Sequence, residues 1–463
     1  MTARLREVMR AAAQDVPTYA VHDRARAAAR RTRRRTLAAT AAVAVIGVLL
    51  VLWSPIDRAP GPDRTAEQPA ALPDRIGVPP PGTLRVTDRP RLEQAAVLFS
   101  GGYSAGTCPF VDECDALTLV DAHTDRYRLF LTSIPEAPAG QEVVLAADGR
   151  RVAHSGGYID DPYVRIIELR TGQTRDVPSA IEGSGGSFPV SWSRDGRWIA
   201  VRDVISADQD GVPESILSIV DLDSGQWRRL ASGPTMDGFS VAFAPDGRRF
   251  AYQIAGTVTV AALDGSTAGT SFSVSDDQAL GGKGAWTPDG RSLTIVERQG
   301  ADWTLRYVDP VTGAATGGPA TPAVTGRTGI RLLAWREDGS ALIAAFEPSP
   351  ESTTRFDKSL SLDERTYYGE VHRVDLLALT PGGAAPTTVL SSEDGVLAID
   401  VADDIAVTGR MRDGNPPKGF GPRFWFWTGL PMVILASVYL FRRRWEILFG
   451  PSRWQFELVR RIR

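Results

Sequence analysis

The sequence predicts an all-β fold: a six-bladed β-propeller carried between two transmembrane helices. Three patterns lead to it. A phrase centred on Asp-Gly occurs five times, and a second Gly-turn hairpin follows each copy. Two uncharged apolar segments bracket the repeats, each with arginines on its outer side.

The phrase reads "VLAADGRRVAHS", "SWSRDGRWIAVR", "AFAPDGRRFAYQ", "AWTPDGRSLTIV" and "AWREDGSALIAA". Its Asp falls at Asp148, Asp195, Asp246, Asp289 and Asp338, at intervals of 47, 51, 43 and 49 residues. Three residues before it stand Leu145, Trp192, Phe243, Trp286 and Trp335. Four residues after it stand Val152, Ile199, Phe250, Leu293 and Leu342. Asp-Gly between alternating apolar runs signals a hairpin, because glycine supplies a positive φ without a Cβ penalty. The trailing segments are "IIELRTGQTRDV", "LSIVDLDSGQWRRL", "VTVAALDGSTAGT", "LRYVDPVTGAATGG" and "HRVDLLALTPGGAAPTTVL". Each offers an apolar strand, a turn and a weaker strand. Four strands every ~40–50 residues is the period of a propeller blade. The large residue before the turn is expected between adjacent sheets, since no blade buries both faces alone.

Two further segments, "AAVLFSGG" and "LTLVDAHTDRYRLFL", precede the first phrase and lack an Asp-Gly hairpin. "GVLAIDVADDIAVTG" (Gly395–Gly409) follows the last. Pairing these ends closes the ring and removes its exposed edges. The count is then six blades, or seven if the far segment supplies two strands. The propeller spans residues 91–410. Residues 54–90, rich in Pro and polar groups, read as a linker.

The "PDGR" and "RDGR" hairpins resemble the PD40-type repeats of TolB-like, WD40-like propellers, over about Ala95–Gly409. The resemblance implies the propeller fold, with binding at loop-lined faces. The Trp-Asp ends of true WD40 repeats are absent. The basic leader and early apolar segment are similar to those of actinobacterial membrane-tethered propellers and membrane-anchored anti-sigma proteins.

The net charge of -3 is unevenly placed. Residues 1–36 hold ten Arg against Glu7, Asp15 and Asp23, and residues 442–463 hold seven Arg against Glu446 and Glu457. The stretch between them is left at about -15. A nucleic-acid binder carries its basic patch on the folded domain, so this distribution argues against nucleic acid.

Leu37–Trp53 is 17 residues long and uncharged, and it follows "RRTRRR". Crossing ~30 Å of hydrocarbon takes about 20 residues, so this is a short transmembrane helix. The competing reading is a cleaved signal peptide, opposed by the long basic region and the missing small-x-small site. Phe424–Phe441, followed by "RRRW", is a second span with an aromatic end; its competing reading is a buried core helix. Pro431 is tolerated in a membrane helix. The positive-inside rule then puts both termini in the cytoplasm and residues 54–423 outside the plasma membrane. In the tail, Trp454, Leu458 and Ile462 have helical spacing and suit either a helix on the inner leaflet or a disordered basic end. In the leader, Leu5, Val8, Met9 and Ala12 share one helical face. That face either docks a cytoplasmic regulator such as a sigma factor or lies along the membrane. His22 stands alone there without cysteine, unlike zinc-containing anti-sigma domains.

Candidate chemistry is sparse. Cys108 and Cys114, in "CPFVDEC", are the two cysteines. Outside the membrane they read as a disulfide, with free thiols or a transient metal pair as alternatives. No third Cys or His stands near to complete a zinc site. "GYSAG" gives Ser104 the spacing of a nucleophile elbow but lacks the following helix, and His123, His154 and His372 are partners only by default. Asp208, Asp210 and Ser215 surround Gly211 with alternating oxygens suited to Ca²⁺, without the full twelve-residue loop; a polar loop is the competing reading. No cofactor motif is present.

The resulting functional expectation is a non-enzymatic binding or scaffold module, anchored in the membrane, whose propeller face takes a protein or cell-envelope ligand. Its acidic exterior would draw cationic ligands. The alternative is a transmembrane signalling or anti-sigma-like regulator with an outer sensor propeller. A third reading, an extracytoplasmic hydrolase, needs Ser104.

Overall fold

Each Asp-Gly phrase closes a tight turn. The glycine N–H donates to the carbonyl three residues earlier at 2.8–3.0 Å in Gly149, Gly196, Gly247, Gly290 and Gly339. All five have φ between 64° and 79°. The Asp carboxylate accepts the backbone N–H two residues on, from Arg150, Arg197, Arg248, Arg291 and Ser340, at 2.8–3.1 Å. Short acidic side chains mimic a backbone turn in this way, so Asp recurs for a reason separate from the glycine.

The computed structural model describes residues 69–422 apart from 81, 102–116, 131–136, 158–160, 206–213, 235–239, 267–268, 351–370 and 420. It also describes Glu7, Gly429 and residues 435–442. The chain divides into a unit of Arg64–Gly421 and a unit of Met1–Asp63 with Pro422–Arg463. In the second, residues 435–442 are helical, and Leu435, Val438, Tyr439 and Phe441 are exposed.

The first unit is built of strands. β1 (Leu72–Pro73) and β2 (Arg75–Ile76) open it, and β3 (Ala95–Gly101), β4 (Leu117–Asp121) and β5 (Tyr127–Phe130) belong to blade 1. Blade 2 holds β6 (Val143–Leu145), β7 (Arg151–Gly156), β8 (Tyr163–Glu168) and β9 (Thr174–Pro178). Blade 3 holds β10 (Ser184–Trp192), β11 (Trp198–Ile205), β12 (Glu214–Asp221) and β13 (Gln226–Pro234). Blade 4 holds β14 (Ser240–Phe243), β15 (Arg249–Ile254), β16 (Thr257–Ala262) and β17 (Thr270–Ser273). Blade 5 holds β18 (Gln278–Leu280), β19 (Leu293–Gln299), β20 (Asp302–Val308) and β21 (Val324–Thr325). Blade 6 holds β22 (Gly329–Trp335), β23 (Ala341–Pro348), β24 (Val371–Leu379) and β25 (Thr387–Ser392). β26 (Val396–Val401), a short helix α1 (Asp403–Thr408) and β27 (Met411–Arg412) complete it.

Six sheets form the propeller, and the chain ends close it. β26 pairs antiparallel with β3, Ile399 opposite Phe99 and Val401 opposite Val97, and becomes the innermost strand of blade 1. The seven-blade alternative falls away because "DDIAVT" is a helix, not a strand. Asp403 and Asp404 occupy its first turn and Gly409 caps it at φ 67°, which suits the dipole and the left-handed cap. The linker expectation also changes: residues 69–80 and 82–90 belong to the propeller. β1 pairs parallel with β27, and β2 adds a parallel fifth strand to blade 6 beside β25. Leu72, Ile76 and Val86, apolar points in a Pro-rich stretch, are buried.

The large residues flanking the turns pair across it. Leu145 faces Val152, Trp192 faces Ile199, Phe243 faces Phe250 and Trp286 faces Leu293. In blade 6 a register shift puts Trp335 opposite Ala341 instead of Leu342. The aromatics join neighbouring blades. The Trp286 indole N–H donates to Ala242 O of blade 4 at 3.0 Å, and that of Trp335 donates to Gly284 O of blade 5 at 3.0 Å. Phe243 packs against a cluster that joins Val190 and Leu217 of blade 3 to Val241 and Phe250 of blade 4. The "DGRR" arginines add to this contact. Arg151 lies 5.1 Å over Trp192 of the next blade and Arg249 lies 4.8 Å over Trp286.

Among the described residues no helix is long and apolar enough to cross a membrane. Residues 37–53 and most of 424–441 lie outside the described residues, as do most of the leader and all of the tail after Arg442.

Candidate functional site

Strand direction gives the propeller two unlike rims. The first rim carries the Asp-Gly turns and the turns between third and fourth strands. The second carries the connections from second to third strands and from one blade to the next. On the first rim acids and arginines alternate: Arg197 pairs with Asp221 at 2.7 Å, and Arg249 with Asp246 at 2.8 Å.

Among the described residues the second rim is acidic. Asp161, Glu182, Glu214, Asp276, Asp277, Asp302, Glu393 and Asp394 are exposed there. Four of the described arginines near it are held by less exposed acids. Arg202 binds Glu142 at 2.7 Å, Arg306 binds Glu297 at 2.6 Å, and Arg327 and Arg373 both reach Glu347, at 2.7 and 2.9 Å. Burial works against the Glu347 charge, but the two guanidiniums hold its carboxyl below the usual value. Among the described residues, the outward-facing groups of this rim are mostly carboxylates. Near it, between blades 2 and 3, Asp203 is fully buried; its Oδ1 accepts the hydroxyls of Ser179 at 2.7 Å, Ser184 at 3.3 Å and Ser187. Burial pushes this carboxyl up despite those donors.

The innermost strands bring a second set of charges together. Lys283 reaches from blade 5 to Asp400 of β26 at 2.8 Å, Asp403 of α1 at 2.5 Å and Val401 O at 2.7 Å. The Asp400 side chain is 1% exposed and also accepts the N–H of Leu145 at 2.9 Å. Burial opposes the Lys283 charge, but Asp400 and Asp403 outweigh it and raise the ammonium above its ordinary value. Arg331 of β22 donates to Ile399 O at 2.6 Å and to Ala139 O and Gly140 O at 3.3 and 3.2 Å. Sequence reasoning passed over this cluster. Its signal was "LGGKGAW": one of three lysines, with Lys358 and Lys418, in a chain that otherwise uses arginine, set among three glycines. Gly282 has φ 118°, and a Cβ on Gly284 would sit 2.7 Å from Leu333 C. The glycines let this backbone lie against β22 and aim Lys283 at the closing strand.

Of the residues singled out from sequence, Ser104, Cys108, Cys114, Asp208 and Asp210 lie outside the described residues. Ser215 is buried within β12, opposite Val204, rather than on a ligand loop. The three histidines are kept in separate places. His123 is in the β4–β5 turn of blade 1, His154 is buried in β7 of blade 2, and His372 pairs with Asp394 at 3.0 Å in blade 6.

His154 gives the fold a pH dependence. It is 7% exposed, contacts Ser155 O through Nδ1 at 2.6 Å and meets Phe130 edge-on at 4.7 Å. Burial depresses its pKa to about 4, against the carbonyl contact. The unfolded chain therefore binds this proton first. Its contribution is complete above the ordinary histidine value near 6.5 and is lost as pH falls to about 4, a change of about 3 kcal/mol. Urea titrations at several pH values are expected to show this slope in the parent and its loss in His154→Leu; equal slopes would contradict the assignment.

No family model matches the chain, and no curated protein matches it. Among solved structures it is similar to TolB from Acinetobacter baumannii, at 17% identity and TM-score 0.32, over 55% of this chain and 62% of that one. The match thus spans less than two thirds of that TolB chain. It is also similar to oligogalacturonate lyase from Vibrio parahaemolyticus, at 11% identity and TM-score 0.40, over 66% and 81% of the two chains. A third likeness is to the β-propeller domain of the Trilobed protease from Pyrococcus furiosus, at 12% identity and TM-score 0.32, over 52% and 68%.

Proposed function

We propose that this chain is a membrane-anchored, extracytoplasmic binding propeller that takes a cationic ligand on its second rim without catalysing a reaction. The observation that carries this reading is the sorting of charge on that rim. Exposed carboxylates point outward while Arg202, Arg327 and Arg373 are engaged with Glu142 and Glu347. A surface of one sign raises the local concentration of the opposite charge and speeds encounter. The anchor rests on the uncharged stretches 37–53 and 424–441 with their outer arginines. The exposed apolar side chains of Leu435, Val438, Tyr439 and Phe441 suit contact with lipid.

Labelled oligo-lysine added to right-side-out and to inverted membrane vesicles tests both parts. Binding is expected on right-side-out vesicles alone, weakening with salt as exposed charges are screened. Neutralising Asp276, Asp277, Glu393 and Asp394 together is expected to weaken it about tenfold, roughly 1.4 kcal/mol. Neutralising Asp223, Asp264 and Glu337 on the first rim should leave it nearly unchanged. Equal loss from both sets would reduce the effect to net charge, and binding to inverted vesicles would reverse the topology. The sensor reading is favoured by one observation: β27 pairs with β1, so the segment that closes the ring also holds the chain on both sides of it.

A further inference from the structure

We infer that residues 396–412 form a latch that couples closure of the ring at its axis to the two flanking segments, with Lys283 as its bolt. This goes beyond ligand binding and holds whatever the second rim recognises.

The segment is gripped from nearly every side. Lys283 of blade 5 directs its ammonium at three oxygens of this one segment, those of Asp400, Asp403 and Val401. An ammonium has three donors on a point charge, whereas a planar guanidinium has a fixed fork. That explains a lysine here in a chain rich in arginine. Blade 6 contributes Arg331 to Ile399 O, the Glu337 N–H to Val407 O at 2.9 Å and Arg336 to Gly409 O at 2.8 Å. Blade 2 contributes the Leu145 N–H to Asp400 and Ala147 O to the Asp404 N–H, and blade 3 contributes Arg194 to Asp404 at 3.0 Å.

The far end of the segment holds the flanks. Leu72 N–H donates to Arg410 O at 3.0 Å, Asp74 N–H to Arg412 O at 2.9 Å, and Gly414 N–H to Asp74 Oδ1 at 2.7 Å. The two chain paths remain together beyond β27. A Cβ on Gly414 would sit 2.3 Å from Arg75 O, and one on Gly421 would sit 2.2 Å from Gly82 O. Arg412 also donates to Asp121 O and Thr124 O of blade 1, at 3.0 and 2.6 Å. Only α1 and two residues separate the bolt from the paired flanks. On this inference a shift of β26 at the axis is passed to β27 and to the segment 72–75 that it holds.

Coupling of this kind is reciprocal. Amide hydrogen exchange on the full chain in detergent reads it at three places: the β26–β3 pair, the β1–β27 pair and blade 4 as a distant control. Lys283→Met is expected to speed exchange at both pairs by about tenfold while blade 4 keeps its protection, the pattern of sub-global opening. Lys283→Arg should recover part of that loss. Gly414→Val, which forces the flanks apart, is expected to speed exchange at β26–β3 in turn, so the test survives if Lys283→Met does not fold. The inference is overturned if β26–β3 opens with β1–β27 unchanged, if blade 4 accelerates equally, or if Gly414→Val stays local. None of these outcomes depends on oligo-lysine binding.

Discussion

Asp400→Ala is expected to lower the stability of the propeller by about 3–5 kcal/mol, the usual cost of removing one partner from a buried ion pair. Asp400 accepts from three groups at once: Lys283 Nζ at 2.8 Å, the Leu145 N–H at 2.9 Å and the Val401 N–H at 3.0 Å. Its loss leaves Lys283 buried with Asp403 and one carbonyl, and leaves the Leu145 amide without its acceptor. A buried donor so stranded costs ~1–3 kcal/mol by itself. Asp400→Asn keeps an acceptor for Leu145 but not the charge, and is expected to fall between Ala and the parent. Denaturant unfolding of the three proteins provides the measurement. A loss below ~1 kcal/mol for the Ala variant would mean the site collapses or admits water, contrary to the burial of Asp400.

Trp286→Ala is expected to cost a similar amount, about 3–5 kcal/mol, for a different reason. Trp286 is 2% exposed and fills the space between blades 4 and 5 with Ala242, Val258 and Leu293. Removing it opens a cavity, frees Ala242 O from its indole donor and strips Arg249 of its aromatic support. Trp286→Phe restores most of the apolar area without the N–H, so the expected residual loss is about 1 kcal/mol. The same urea titration decides it. If Phe is as damaging as Ala, the hydrogen bond and shape dominate; if Ala is nearly neutral, the blade interface does not depend on this residue.

Much of the fold was legible because its signals are local. Asp-Gly turns, the apolar positions on either side and the trailing hairpins each lie within about ten residues, and all five copies close the same turn, although Trp335 pairs one residue out of register and Trp286 meets Leu293 only through an isolated bridge. Ring closure was legible as a shortage: "AAVLFSGG" and "LTLVDAHTDRYRLFL" lacked a first strand and "GVLAID" had no sheet of its own. The pattern failed where residue chemistry was ambiguous. "DDIAVT" alternates acceptably as a strand, and its acidic first turn and glycine cap decide for helix only once Ile405 and Ala406 find burial. The Pro-rich stretch before blade 1 resembled a spacer because its few apolar residues are scattered. Leu72 and Ile76 are held by edges of sheets that form over three hundred residues later.

The acidic character of the middle of the chain could be counted from the sequence, but not which rim mixes its exposed acids with arginines and which does not. That sorting depends on which strand ends come together, a property of topology. The Lys283 cluster shows the same divide. A lone lysine among glycines stood out, yet its partners Asp400 and Asp403 lie over a hundred residues away. Sequence alone determined the period, the turn chemistry and the apolar positions, because these are short-range consequences of glycine, Asp and alternating side chains. Only the tertiary structure decided which charges face solvent together and which are buried in pairs, because electrostatic partners are set by distance in space.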